Sequence, residues 1–233
     1  QDFQNLMYVY MDAVFYPNIY EHEEIFRQEG WSYQLDSAED KLKYNGVVYN
    51  EMKGAFSSPE GVLDRVILNT LFPDTSYANE SGGDPEVIPE LTYEQFLDFH
   101  RKYYHPSNSY IYLYGDMDIE EKLHWLDQEY LGKYDREPVD SRIRFQEPFA
   151  EMQEKVIPYS IASEESEEDN TYLSYNKVVG TSLDKELYLA FQILDYALLS
   201  APGAPLKKAL TDAGIGKDIW GLTITGFTSR FFL

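Results

Sequence analysis

Between residues 136 and 150 the chain stops repeating. The stretch REPVDSRIRFQEPFA carries two prolines and no helical periodicity, which predicts a linker and therefore two folded parts, 1–135 and 151–233. Upstream, helical and strand periods alternate. Phe3, Leu6, Met7, Tyr10 and Val14 recur at three- and four-residue steps, which predicts a helix from Asp2 to Tyr16 that stops before Pro17. WSYQL (31–35) alternates as a strand does, residues 45–56 return to helical spacing, and Pro59 can open a helix reaching Phe72. The next twenty residues are rich in Pro, Gly, Asp and Ser and read as a long ordered loop, in which the glycines of ESGGDP permit a tight turn at positive φ. Thr92 and Gln95 form a capping box for a helix ending near Tyr104, and SYIYLYG (109–115) reads as a strand.

The second part begins afresh. Strands are expected at Gln153–Ile161, Tyr172–Val179 and near WGLTIT, with a helix at Asp184–Leu199 and a shorter one after Pro205. The acidic run SEESEEDN lacks the spaced ligands and fixed Gly of a cation loop, so it reads as a solvated hairpin turn. Both parts are therefore expected to be α+β.

Composition excludes several function classes. The 233 residues carry 19 Lys+Arg against 41 Asp+Glu, a formal charge of -22, which argues against nucleic acid and against an anionic membrane surface as partners. Hydrophobic residues at 43% are too many for a disordered chain, and no apolar run is long enough to span a bilayer. Cysteine is absent, so disulfides, thiolate zinc sites and a cysteine nucleophile are excluded. The first residues start inside an amphipathic helix, without Met or a leader, as an internal fragment of a longer protein would.

Few residues carry candidate chemistry. No two of His22, His100, His105 and His124 are three or four residues apart, so no helix face offers a two-histidine zinc site. His100 and His105 lie five apart across an expected helix end, with rings pointing in different directions. No G-x-S-x-G elbow occurs, and ESGGDP lacks the preceding strand and following Gly-Lys-Ser/Thr of a phosphate cradle. Glu51 remains. On a helix its neighbours one turn away are Val47, Val48, Gly54 and Ala55, so its carboxylate projects from an apolar or small face. A helix terminus, a basic side chain or a metal ion could partner it, and spacing alone favours an ordinary hydrogen-bonded or exposed glutamate.

Longer blocks carry more. QDFQNLMYVYMDAVFYP, FRQEGWSYQL, YNGVVYNEMKGAFSSPEGVLDRV, the run from LFPDTSYANESGGDP to YLYGDMD, and ILDYALLSAPGAPLKKALTDAGIGKDI follow one another in order over almost the whole chain. They resemble the presequence protease branch of the insulinase/pitrilysin zinc metallopeptidases, the inverzincins. The match is weakest around 162–170 and in GFTSRFFL.

The resemblance implies a zinc metalloendopeptidase that encloses short unstructured peptides in a two-halved clamshell. The first half would comprise two related α+β domains, each an antiparallel or mixed sheet packed with helices. Residues 1–135 would be the remainder of the first, zinc-binding domain, and 151–233 the start of the second. Glu51 of NEMKG matches the family's third zinc ligand. The two His ligands and the Glu general base of the family's His-x-x-Glu-His motif are absent, since HEEIF at 22–26 does not fit it. No catalytic residue is therefore expected in this chain, which alone would be inactive. Zn2+ would be the cofactor, and peptide substrates and the remainder of the same polypeptide the partners. A bacterial cytoplasm, or alternatively a mitochondrial or plastid matrix, is compatible. A non-catalytic structural or peptide-holding member of the superfamily is the competing reading.

Overall fold

The computed structural model describes residues 2–168, 170–216, 218–221 and 231–232. The fold is helix-rich α+β, with two short antiparallel strand pairs among the described residues. It divides into two compact units, one of 1–55 with 82–142, the other of 56–81 with 143–233.

The first unit opens with α1 (Asp2–Phe15), followed by α2 (Glu23–Glu29) and the pair β1 (Ser32–Gln34) and β2 (Lys43–Asn45). The pair is antiparallel, with Tyr33 opposite Tyr44, and leads directly into α3 (Val47–Ala55). After residue 82 come α5 (Tyr93–Tyr103) and α6 (Ile119–Glu129). The expected capping box is present: the Gln95 amide donates to Thr92 Oγ1 at 3.2 Å and the Thr92 amide to Gln95 Oε1 at 2.8 Å, which satisfies two otherwise orphaned donors. Asp118 caps α6 through the Glu121 amide at 3.1 Å.

Met7, Met11 and Phe15 of α1 are buried against Leu126 and Tyr130, with Phe3, Val14 and Leu113 packed around them. Burial at this level stabilises by roughly 1.5–3 kcal/mol per large apolar side chain. The packed stripe of α1 thus departs from the expected one: Leu6 and Tyr10 are 66% and 69% exposed.

In the second unit α4 (Pro59–Leu71) starts with Pro59 after its cap Ser58, which accepts from the Gly61 amide at 3.0 Å. Phe72 is fully buried beside Ile67, with Leu63, Leu68, Leu71, Tyr77 and Val178 around them. The one buried polar side chain among the described residues, Gln146, takes the Asp74 amide at 2.9 Å and donates to the Asp74 carboxylate at 2.7 Å. That pair ties the end of α4 to the segment after residue 143. Further on lie β3 (Val178–Gly180), α7 (Lys185–Asp195) capped by Asp184, a π-helical turn at Tyr196–Ser200, α8 (Pro205–Asp212) and β4 (Phe231–Phe232), which pairs antiparallel with β3.

Three expected strands need correction. Residues 109–115 and 153–161 hold no assigned strand, and 172–179 contributes only Val178 and Val179, at the start of β3. Propensity makes a segment extended, but a strand requires a neighbour to take its amides and carbonyls, and apart from Val178 and Val179 beside β4 these segments have none among the described residues. The acidic run is an exposed turn at 163–168, with no flanking strands among the described residues. The strand expected near WGLTIT lies mostly outside the described residues.

Candidate functional site around helix α3

Helix α3 is held at its start by a close backbone approach. Gly46, at φ 151°, sits so near the α2 to β1 junction that a Cβ there would come within 2.2 Å of the Gly30 carbonyl oxygen. That oxygen accepts from the Tyr49 amide at 3.3 Å, while Asn50 donates its side-chain amide to Asn45 Oδ1 at 2.8 Å. The Asn-Gly dipeptide at 45–46 is a turn signal in the sequence; the contact with Gly30 has none.

One face of α3 is packed. Val48, Tyr49 and Met52 lie against the buried Phe26, Trp31 and Ile88, and the Trp31 indole N–H donates to the Leu91 carbonyl at 2.9 Å. The loop before α5 closes beneath Met52. Gly82, at φ 88°, passes so near that a Cβ would meet Met52 Sδ at 2.5 Å, and Gly83 follows at φ 94°, which are the positive-φ glycines expected of ESGGDP.

The exposed side carries Glu51. Val47, Glu51, Gly54 and Ala55 are all exposed and share one side of the helix at i, i+4, i+7, i+8 spacing. The expected grouping of Val48 with this face is corrected: it belongs to the packed side. A Cβ at Gly54 would meet nothing within 4 Å. The Glu51 carboxylate has no hydrogen bond or ion pair among the described residues, so a rigidly seated helix presents it outward.

Three of the four histidines have partners elsewhere. His100 Nε2 lies 3.0 Å from the Val14 carbonyl and Nδ1 2.6 Å from the Tyr20 hydroxyl. A carbonyl can only accept, so Nε2 carries the proton and Tyr20 donates to Nδ1, which leaves no lone pair for a metal. Burial pushes the Tyr20 hydroxyl above its ordinary pKa, a shift opposed by the Arg101 guanidinium and reinforced by Asp98. His105 accepts from the Ser107 amide at 3.1 Å and meets the Tyr134 ring edge-on. His22 pairs with Glu24 at 2.8 Å on an exposed turn. The Glu24 carboxyl is held below its usual range by its own backbone amide and then by His22. His124 is exposed on α6.

Among the described residues no group of three or more His, Cys, Asp or Glu could hold a metal ion. A metal held at Glu51 would therefore need its remaining donors from another stretch of polypeptide. Among the described residues no helix is long and apolar enough to cross a membrane.

A family profile described as Peptidase M16 inactive domain matches residues 90–232. The chain is 56% identical over 221 residues to Protein HypA of Clostridium perfringens, covering 95% of this chain and 23% of that protein. It is 40% identical over 222 residues to Presequence protease 1, chloroplastic/mitochondrial, of Arabidopsis thaliana, covering 94% of this chain and 20% of that one. It is 35% identical over 224 residues to Presequence protease, mitochondrial, of Danio rerio, covering 94% and 22%. The chain spans only 20–23% of the length of these relatives.

Proposed function

The chain belongs to the peptidase M16 family, and we propose on that footing that it is a segment of a zinc metalloendopeptidase degrading short unstructured peptides. Glu51 is assigned as the third protein ligand to zinc. The observation that carries the assignment is the geometry of α3: an unpartnered carboxylate on the outward face of a helix whose other face is pinned by Gly46, Val48 and Met52. Gly54 and Ala55, one turn beyond, leave room for another helix to approach.

A zinc ion completed by two neutral imidazoles supplies Lewis-acid polarisation of a peptide carbonyl and activation of water near neutral pH. The part of this chain is narrower. Glu51 contributes one anionic oxygen that offsets cationic charge, and the anchoring of α3 fixes where that oxygen stands. Neither the general base nor the histidine ligands belong to residues 1–233, so the chain by itself is inactive in this reading. Within the parent, residues 1–135 complete the zinc-binding domain, 136–150 form the linker and 151–233 begin the second domain. The relatives' sources and names support a bacterial cytoplasm or an organelle matrix as the setting.

The test is Glu51→Gln in the full-length parent, with zinc content and peptide turnover measured together. A large fall in both is expected, and unchanged values defeat the assignment. A second reading, a non-catalytic peptide-holding member, draws on the description of the matched profile as an inactive domain. Glu51 lies outside residues 90–232, so that match bears on the later part of the chain. A His-x-x-Glu-His motif upstream in the parent's gene favours the enzyme, and its absence favours the alternative.

A further inference from the structure

Tyr93, Tyr130 and Tyr159 donate their hydroxyls to the backbone carbonyls of Ile19, Tyr8 and Asn170, which accept a hydrogen bond but are not bases. Tyr20 differs. Its hydroxyl donates to His100 Nδ1 at 2.6 Å, an imidazole lone pair that can take the proton outright. The ring is in turn oriented by a third group, since Nε2–H donates to the Val14 carbonyl at 3.0 Å, and it stacks on Tyr104 with centroids 4.5 Å apart. A nucleophile, a base within hydrogen-bond reach and an orienting acceptor behind the base are the parts of an activated nucleophile. Tyr20 is 40% exposed, within reach of a reagent from solvent.

We propose that Tyr20 is an acyl acceptor, with His100 as its general base and neutral activated esters as the donors. Tyr20 Oη attacks the ester carbonyl while its proton passes to His100 Nδ1. The tetrahedral adduct then collapses: the C–O bond to the leaving group breaks and the departing oxyanion takes the proton from His100. The products are O-acyl-Tyr20 and an alcohol or phenol. Base assistance is required because burial raises the Tyr20 hydroxyl above its ordinary pKa and keeps it protonated near neutral pH. Charge selects the donor. The Arg101 guanidinium lies 5.5 Å from the Tyr20 ring centre but is held by Glu94 at 3.0 Å and Asp98 at 2.6 Å. Two carboxylates against one cation, in a chain of formal charge -22, repel phosphorylated and other anionic donors.

The test treats the whole 233-residue chain with 4-nitrophenyl acetate and maps the acetyl group by peptide mass spectrometry. Tyr20 is expected to be acetylated at least about a hundredfold faster than Tyr112, a tyrosine 84% exposed and outside any such pair. In heavy water the reaction at Tyr20 should slow, as proton transfer during the attack requires. His100→Gln keeps an acceptor opposite the hydroxyl but no base, so it should bring Tyr20 down to the rate of Tyr112, with a urea midpoint to confirm that the variant is folded. The two measurements on the unsubstituted chain decide the matter even where the variant does not fold. Equal rates at Tyr20 and Tyr112 overturn the proposal, as does a rate insensitive to heavy water. So does a rate unchanged in folded His100→Gln, or an acetyl group found on His100 in place of Tyr20.

Discussion

The Tyr20 hydroxyl donates to Nδ1 of His100 at 2.6 Å, and with Nε2 directed at the Val14 carbonyl at 3.0 Å the imidazole joins the end of α1, the turn after it and α5. The ring stacks on Tyr104 as well, with centroids 4.5 Å apart. A histidine that a sequence search would try as a metal ligand is a structural tie.

Removing either partner should therefore cost stability and leave metal content alone. His100→Ala orphans the Val14 carbonyl and Tyr20→Phe orphans Nδ1, so each is expected to destabilise by about 1–2 kcal/mol. The double variant should lose less than the sum, because the two share one bond. Urea unfolding followed by aromatic fluorescence measures this, and full additivity would count against the tie.

The glycine before the Glu51 helix and the one in its last turn should respond in opposite directions. Gly46→Ala drives a Cβ into the Gly30 carbonyl at 2.2 Å and strains φ 151°, so a loss above about 2 kcal/mol is expected. Gly54→Ala meets nothing within 4 Å and should stabilise the chain by about 0.5–1 kcal/mol through helix propensity. In the full-length parent the same Gly54→Ala should lower peptide turnover if another helix lies close against this face. Thermal unfolding of the chain and kinetics of the parent separate the two effects.

Alkaline pH should weaken the first unit. Burial, followed by the hydrogen bond with Tyr16, pushes the Tyr134 hydroxyl from 10.0 up to about 12, and burial raises Tyr130 and Tyr20 in the same direction. Between these values the unfolded chain has released the Tyr134 proton and the folded chain has kept it, so stability is full below pH 10 and falls as pH rises towards 12. Tyr134→Phe should flatten that decline, as read from urea midpoints across the range.

Gln146 should matter more than its place in a proline-containing connector suggests. Gln146→Ala strips the Asp74 amide of its acceptor and the Asp74 carboxylate of a donor, at an expected cost of about 1–3 kcal/mol. Hydrogen exchange at the Asp74 amide should speed up selectively, and unchanged protection there would defeat the claim.

Signals in the sequence are legible where the physics is local. The Thr92–Gln95 capping box, Pro59 in a first turn and the positive-φ glycines of ESGGDP all act within three residues of themselves. Features that depend on distant partners are not legible in the same way. Residues 109–115 and 153–161 have strand composition, but pairing is decided by chain elsewhere. The Gln146 to Asp74 bond spans 72 residues, and no local pattern marks a glutamine for burial. At the candidate site, helical spacing places Glu51 with Val47, Gly54 and Ala55, whereas only packing against Phe26 and Trp31 assigns Val48 to the other side.

The bond from Trp31 to Leu91 closes a separation of 60 residues, and inside that interval residues 56–81 join the other unit. During vectorial synthesis the stretch through Ala55 emerges first, yet Trp31 cannot find Leu91 until the excursion has been made. Residues 56–81 in turn wait for partners beyond residue 143. The first unit can therefore close only once residues 82–142 have followed, and the second only after that, when the chain beyond residue 143 is delivered.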